Sequence, residues 1–445
     1  MEVIMKTRTA LGGFLIVLTL AWACDVFVLQ AAPAGAWPWV LQRQALYLTG
    51  IWSIALMALI MLLALRPAWL ERPLGGMDRV YRLHKWAGIL AVGAGAAHWL
   101  IKLASGPMKS LLGTQGRPAR DLTLALFEGS RGIAKDLGEW SIYALLLMLA
   151  LTLWRRFPYH AWRLIHRVMP ALFLVLAFHA VALAPAGYWT GITGLLLVPL
   201  LAAGAWSAGV ALAGRIGHGR RSHGRITALE RKRDGVLEVE CRLDAGWRGH
   251  QAGQFAFVRF DRREGAHPYT IASAPRPDGT IRFEIKALGD YTSRLPGALR
   301  VGQPVEVEGP NGCFQLDADA GAPQVWVAGG IGITPFLAWL DTLAADPSRA
   351  PSAQLHYCVR DAAADPFAAT LRERCAALPS IQLNIHDAAR GQRLDATQLT
   401  LDSAPGHAAQ VWFCGPAGLA RSLRDGLRRL GRTDVRWHQE AFQMR

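Results

Sequence analysis

The chain has 445 residues, 52% of them hydrophobic, with 48 basic and 33 acidic residues for a net charge of +15. That length accommodates two or three domains. The basic excess lies in short clusters beside apolar runs, which is the pattern of membrane topology, and no nucleic-acid motif accompanies it. Six scattered cysteines (Cys24, Cys241, Cys313, Cys358, Cys375, Cys414) form no CxxC pair, which argues against a zinc or iron–sulfur site and against a disulfide framework.

Six apolar segments near 8–30, 45–65, 80–101, 137–154, 164–183 and 187–213 are long enough to cross a bilayer, which takes about 20 helical residues. The first has a signal peptide as its alternative, since Lys6 and Arg8 precede an apolar run ending in "AWA". The run continues past the usual h-region, which favours a span. Arg66, Arg72, Arg79, Arg82 and Lys85 lie between spans two and three, and Arg155, Arg156, Arg163 and Arg167 between four and five. With Arg215, Arg220 and Arg221 after span six, they orient both termini to the cytoplasm of a bacterial inner membrane. The loop 102–136 carries Lys102, Lys109, Arg117, Arg120, Arg131 and Lys135 on the opposite side, which weakens that bias.

Span three holds His84 and His98, 14 residues apart, and span five holds His166 and His179, 13 apart. Fourteen residues rise about 21 Å along a helix and return to within roughly 40° of the same face. Thirteen come back about 140° off on an ideal helix. Pro170 lies inside that interval and alters the winding. The two spans run in the same direction, so His84 pairs with His166 and His98 with His179. Facing imidazoles at one level suit bis-histidine haem ligation, and Gly88, Gly93, Ala94, Gly95, Ala96 and Ala97 leave room for a flat porphyrin. The competing reading, a histidine bonded to a neighbouring helix, fits one such residue better than two matched pairs. His160, in "FPYHAW", has no matched partner and reads as interfacial.

"GRIGHGRRSHG" (214–224) reads as a basic linker closing a membrane domain of residues 1–213. "VLEVECRL", "QFAFVRF" and "TIRFEIKAL" are strand-like and separated by turn signals, which predicts a small antiparallel barrel over 225–318. From 319 to 445, "QVWVAGGIGITPFLAWLDTL", "AQLHYCVR", "SIQLNIHD" and "AQVWFCGP" alternate buried strands with helices, the pattern of a parallel α/β sheet. The expected fold is a multi-domain membrane protein: a six-helix bundle, then the barrel, then the α/β domain.

"HPYTIASAP" offers Thr270 and Ser273 as hydroxyls for a flavin's reactive nitrogen and Tyr269 to pack on its ring or ribose, although a Ser/Thr pair beside proline alone also reads as a turn. "IKALGDYTSRL" follows one hairpin later, with Lys286 and Thr292 placed for a pyrophosphate. "AGGIGITP" follows a strand and opens a helix, so its backbone and helix N-terminus suit a phosphate. "FCGP" repeats that design at a later strand end, where Cys414 faces a nicotinamide or fills a core. Arg360, after "LHYCV", sits where a 2′-phosphate is read, or is simply solvated.

The order HPYTIAS, GDYT, GGIGITP, CGP and C-terminal "EAFQMR" resembles the ferredoxin–NADP reductase superfamily. With the paired histidines upstream, nearly the whole chain is similar to the NADPH oxidase and ferric reductase family. That resemblance implies that His267, Pro268, Tyr269, Thr270 and Ser273 bind FAD, and that Gly329, Gly330, Gly332, Thr334 and Pro335 bind NADPH or NADH. It implies that Cys414, Gly415 and Pro416 line the hydride-transfer site, that Phe442 stacks on the flavin and that Glu440 lies near it. Thr270, Cys414 and Phe442 are the candidate catalytic set. Tyr269 stands where the family usually has Phe. No EF-hand loop is present, so calcium control is not expected. Lys102, one turn beyond His98, either borders the outer haem or snorkels to the interface.

The implied activity carries electrons from cytoplasmic NAD(P)H through FAD and two haem b groups to molecular oxygen outside, giving superoxide. The same path serves a ferric chelate or quinone reductase. A third possibility makes the membrane half an anchor or haem-carrying scaffold for a soluble reductase. Beyond the lipid bilayer and the acceptor, no protein partner is expected.

Overall fold

The computed structural model describes residues 2–29, 35–154, 156–261, 264–316, 324–401, 408–432 and 434–440. The chain separates into two compact units: Met1–Leu70 with Arg79–Ile216, and Glu71–Asp78 with Gly217–Arg445.

In the first unit, α1 (Glu2–Cys24) runs on through a π-turn (Asp25–Leu29), and α2 spans Trp37–Ala64. The short α3 (Ala68–Leu74) leads to α4 (Met77–Leu112), and a 3-10 turn (Ala125–Ser130) leads to α5 (Arg131–Leu153). Then come α6 (Tyr159–His166), α7 (Met169–Leu183), the short α8 (Ala186–Thr190) and α9 (Ile192–Leu212). Among the described residues six helical stretches are long and apolar enough to cross a membrane, so this is a multi-pass membrane protein. The third stretch is longer than its apolar run suggests, because polar residues at both ends continue the same helix. The sixth begins later, after the separate turn of α8.

Close packing in this unit depends on small residues. A Cβ on Gly204 of α9 would lie 3.0 Å from the Ala58 Cα of α2 and 2.7 Å from Phe173 of α7. Without a water-driven force between helices in lipid, such close approach supplies the contact energy. Asp25 is fully buried, and its carboxylate accepts the amides of Ile192 at 2.8 Å and Thr193 at 2.7 Å. It caps the N-terminus of α9 from another helix, where orphan amides and the helix dipole both favour a negative charge.

The second unit opens with a barrel: β1 (Arg221–Arg231), β2 (Val236–Leu243), β3 (Phe255–Arg259), β4 (His267–Thr270), β5 (Thr280–Lys286) and β6 (Pro304–Asn311). The strand order is β4-β3-β6-β1-β2-β5, and an isolated bridge between Ile271 and Phe283 nearly closes it. Alternating side chains such as Val239, Cys241, Ala256, Val258, Phe283 and Val307 fill the interior. The first strand begins inside the stretch expected as linker, because Arg221–Arg225 pair with Pro304–Glu308 and gain a full ladder there. The expected boundary at 318/319 lies outside the described residues.

After α10 (Asp290–Ala298), the parallel sheet comprises β7 (Gln324–Gly329), β8 (Ala353–Val359), β9 (Ile381–Asp387), β10 (Ala409–Cys414) and β11 (Val435–Glu440). Helices α11 (Thr334–Ala345), α12 (Ala368–Ala376) and α13 (Ala417–Arg429) connect it. The order β11-β10-β7-β8-β9 reverses direction between β7 and β10. A doubly wound sheet opens a crevice at that reversal, beyond the carboxyl ends of its strands.

Candidate functional site

The four membrane histidines meet in the expected pairs. The ring centroids of His84 and His166 are 6.2 Å apart, and those of His98 and His179 are 6.3 Å apart. A metal held between two imidazole nitrogens at about 2 Å each needs ring centroids roughly 6 Å apart. The 13-residue spacing is resolved by a break. Tight turn bonds at Arg167 and Val168 end α6, and Pro170 starts α7 at a position where a missing amide is harmless.

The pairs are oriented by backbone. His98 Nδ1 lies 2.8 Å from the Leu46 carbonyl and His179 Nδ1 2.7 Å from the Ala134 carbonyl. A carbonyl only accepts, so each proton sits on Nδ1 and each Nε2 keeps its lone pair for a metal. His84 is bonded to the Ile60 backbone, and His166 stacks on Trp162 at 4.7 Å. Gly138 is what lets His179 sit against α5, since a Cβ there would lie 2.2 Å from Nδ1. Around His98 and His179 lies a cavity of about 430 Å³, walled mainly by apolar residues such as Ile54, Met57, Ile142 and Leu145. Lys102, Arg131, Lys135 and Glu139 also line it, and Lys102 is paired with Glu139 at 2.8 Å. The donor set and spacing fit a porphyrin iron.

In the second unit, β4 presents His267, Pro268, Tyr269 and Thr270. His267 stacks on Tyr291 of α10 at 4.3 Å. The hydroxyls of Tyr269, Thr270 and Tyr291 are buried without a hydrogen-bond partner among the described residues. A native fold rarely leaves such groups orphaned, so three together indicate a polar ligand. Burial pushes the Tyr291 phenol up to about 12, with Glu264 and Asp261 adding to it, and raises Tyr269 too. Both phenols therefore remain donors.

Other expected flavin contacts are already engaged. Ser273 Oγ accepts the Arg282 amide at 3.2 Å, and Thr292 Oγ1 accepts the Leu288 and Gly289 amides at the start of α10. Lys286 pairs with Asp234 in the β1–β2 turn. A second cluster joins the barrel strands at Lys232, whose ammonium contacts Glu238 at 2.6 Å and Glu284 at 2.7 Å.

The glycine turns flank the sheet's reversal. A Cβ on Gly329 would meet Pro416 at 2.6 Å, one on Gly332 the Cys414 carbonyl at 2.2 Å, and one on Gly415 the Gly329 amide at 2.9 Å. These three glycines let the two turns lie against each other, whereas Gly330, at φ +54°, has open space beside it. Thr334 Oγ1 donates to the Ile331 carbonyl, and Pro335 occupies the first turn of α11. Arg360 is exposed just past β8.

Cys414 is fully buried, and burial pushes its thiol well above the usual range, so it is a neutral thiol rather than a nucleophile. Its register partner is Glu440. A Cβ on Gly312 would meet both Glu440 Oε1 and the Phe255 ring at 3.1 Å, and Phe255 pairs with Thr270 across β3 and β4. Thr270 and Cys414 thus belong to one continuous arc. Phe442, the third member of that set, lies outside the described residues. Sequence reasoning missed Gly138, Trp162 and Tyr291; only Tyr291, inside "GDYT", carried a readable signal.

Residues 49–177 match the family described as ferric reductase like transmembrane component, and residues 222–325 match an FAD-binding domain. The carnitine monooxygenase reductase subunit of Escherichia coli is 30% identical over 40% of this chain and 53% of its own length. An NADPH oxidoreductase of Mycobacterium tuberculosis is 27% identical over 52% of this chain and 62% of its own. The chain thus spans roughly half to three-fifths of these curated relatives. A flavohemoglobin structure from Malassezia yamatoensis, with bound FAD and haem, covers 75% of this chain and 88% of its own at 20% identity, with a TM-score of 0.45.

Proposed function

From the premise that this chain is of the NADPH oxidase and ferric reductase type, we propose that it is a transmembrane NAD(P)H oxidase that reduces molecular oxygen to superoxide on the far side of a bacterial inner membrane. The observation that carries this reading is the two imidazole pairs, 6.2 and 6.3 Å between rings, on the same two stretches of helix. When bound, the flavin converts a two-electron donor to one-electron transfer, and haem iron provides the one-electron carriers.

The chain's own residues do the positioning. His84 with His166, and His98 with His179, would hold two haem b groups, their tautomers set by carbonyls where Leu46 and Ala134 bond them. Tyr269, Thr270 and Tyr291 would bind FAD through their unpaired hydroxyls. Gly330, Thr334 and Pro335 open the turn that would take the nucleotide phosphates, with Arg360 beside it for a 2′-phosphate. Cys414, buried and neutral, would pack near the nicotinamide without reacting. Because the protein supplies both imidazoles of each pair, an acceptor is met at the cavity's edge. Arginine clusters between spans two and three, four and five, and after six support cytoplasmic termini.

A second reading keeps the path but ends on an anionic ferric chelate. It is favoured by the three cations, Lys102, Arg131 and Lys135, lining the cavity against the single carboxylate of Glu139. The deciding experiment quantifies haem and flavin in purified protein by its reduced-minus-oxidised spectrum, then measures cytochrome c reduction with and without superoxide dismutase. Two haems, one flavin and a dismutase-sensitive rate without added iron are expected. NADPH oxidation that requires a ferric chelate would select the second reading.

A further inference from the structure

Helix α11, which opens at the glycine turn, is tied to the barrel at two points. Trp339 donates its indole N–H to the Ala252 carbonyl, ahead of β3, at 3.1 Å. Two residues on, Asp341 Oδ2 accepts the Arg282 guanidinium of β5 at 2.9 Å. The two side chains of that ion pair are only 17% and 19% exposed, so water and salt screen it less than a surface pair. The other oxygen, Asp341 Oδ1, takes Arg374 of α12 at 2.5 Å, and Arg374 also donates to the Leu337 carbonyl at 3.3 Å. The carboxylate is thus gripped from both sides.

Arg282 is as firmly fixed at its other end. Its carbonyl accepts the Ala272 amide at 2.7 Å, and its own amide donates to Ser273 Oγ at 3.2 Å. Its guanidinium donates to the Ala272 carbonyl at 3.3 Å, and a longer contact to Glu238, at 3.8 Å, joins it to the Lys232 cluster. Ala272 and Ser273 directly follow the Tyr269 and Thr270 hydroxyls that lie buried and unpaired. Asp341 lies about two turns along α11 from Thr334. Arg282 therefore holds one segment with its backbone and the helix of the glycine turn with its side chain.

We propose that Arg282 and Asp341 are positioning residues for hydride transfer, their ion pair fixing the separation between the flavin segment and the helix that opens at the nucleotide turn. This rests on the functional reading, in which a hydride, two electrons with one proton, passes from the nicotinamide C4 to the flavin N5 and leaves NAD(P)+ and reduced flavin. Both residues act through the segments they join. Displacing reacting groups by about 1 Å can cost on the order of 100-fold in rate.

The test follows NAD(P)H oxidation by the full-length, flavin-loaded protein with ferricyanide as acceptor, using ordinary NAD(P)H and NAD(P)H deuterated at C4. Arg282→Met and Asp341→Asn should each lower kcat about 10-fold with KM held within about twofold. The deuterium isotope effect on kcat rises in both, as hydride transfer becomes rate-limiting. The double variant loses no more than the worse single variant, because two residues acting as one unit are not additive. Flavin content verifies folding. Asp341→Asn leaves every Arg282 bond to Ala272 and Ser273 in place, so it decides the matter should Arg282→Met lose flavin. An unchanged kcat, a loss confined to KM, or losses that multiply in the double variant overturn the proposal. A parent protein that leaves NAD(P)H unoxidised removes the functional reading and the proposal with it; a reactive parent with unaffected variants removes the proposal alone.

Discussion

A single missing methyl group holds one histidine in place. Gly138→Ala puts a carbon 2.2 Å from His179 Nδ1, inside any normal contact, and drives the ring from the Ala134 carbonyl. Losing an outer-shell partner typically costs about 10–100-fold in metal affinity. The expected outcome is loss of haem at the His98/His179 pair with flavin content unchanged, measured by pyridine haemochrome assay and flavin extraction. Full haem content in this variant would remove Gly138 from the account. At Glu284 the effect is one of pH. Burial, then Glu238, lifts its carboxyl to about 7 against the pull of Lys232. The folded value exceeds the unfolded one, so the proton's stabilisation is complete in mild acid and is lost as pH rises through about 7. The contribution is on the order of 1–3 kcal/mol. Glu284→Gln stays neutral, and urea titrations of the flavin-loaded chain should show a flatter stability slope from roughly pH 5 to 8.

Among the elements, the break between α6 and α7 matters most. Pro170→Ala restores an amide and permits a continuous helix from Tyr159 to Leu183. On that helix the 13-residue interval returns about 140° off, so His166 and His179 cannot both face their partners. A redox spectrum with one haem in place of two is the expected result; an unchanged spectrum would show that the break is held by other contacts. This element also marks how far sequence reading reaches. The pairing of His84 with His166 and His98 with His179 follows from spacing and from two spans running in one direction. Pro170 signals that the winding changes but not where the new helix begins, which the turn bonds at Arg167 and Val168 decide. Strands such as "VLEVECRL" were legible because their period is 2 and their turns are marked. The engaged hydroxyls of Ser273 and Thr292 were not, because a local backbone bond and a ligand contact call for the same residue types.

At the scale of the molecule, the second unit has its own cores, one in the barrel and others around the parallel sheet. Expressed alone, residues 217–445 are expected to bind flavin and to reduce a soluble one-electron dye with NAD(P)H while showing no haem absorbance. Loss of flavin from this fragment, with full occupancy in the whole chain, would show that residues before 217, Glu71–Asp78 of the second unit among them, are needed for cofactor binding. Asp25 has a consequence for assembly of the other unit. Its carboxylate closes the amides of Ile192 and Thr193, so the first of the six described apolar stretches is joined to the sixth, which is made later. Until the sixth segment arrives with those two amides, a naked charge waits in or beside the lipid. Biogenesis is thereby ordered: the bundle seals only once its last helix has entered.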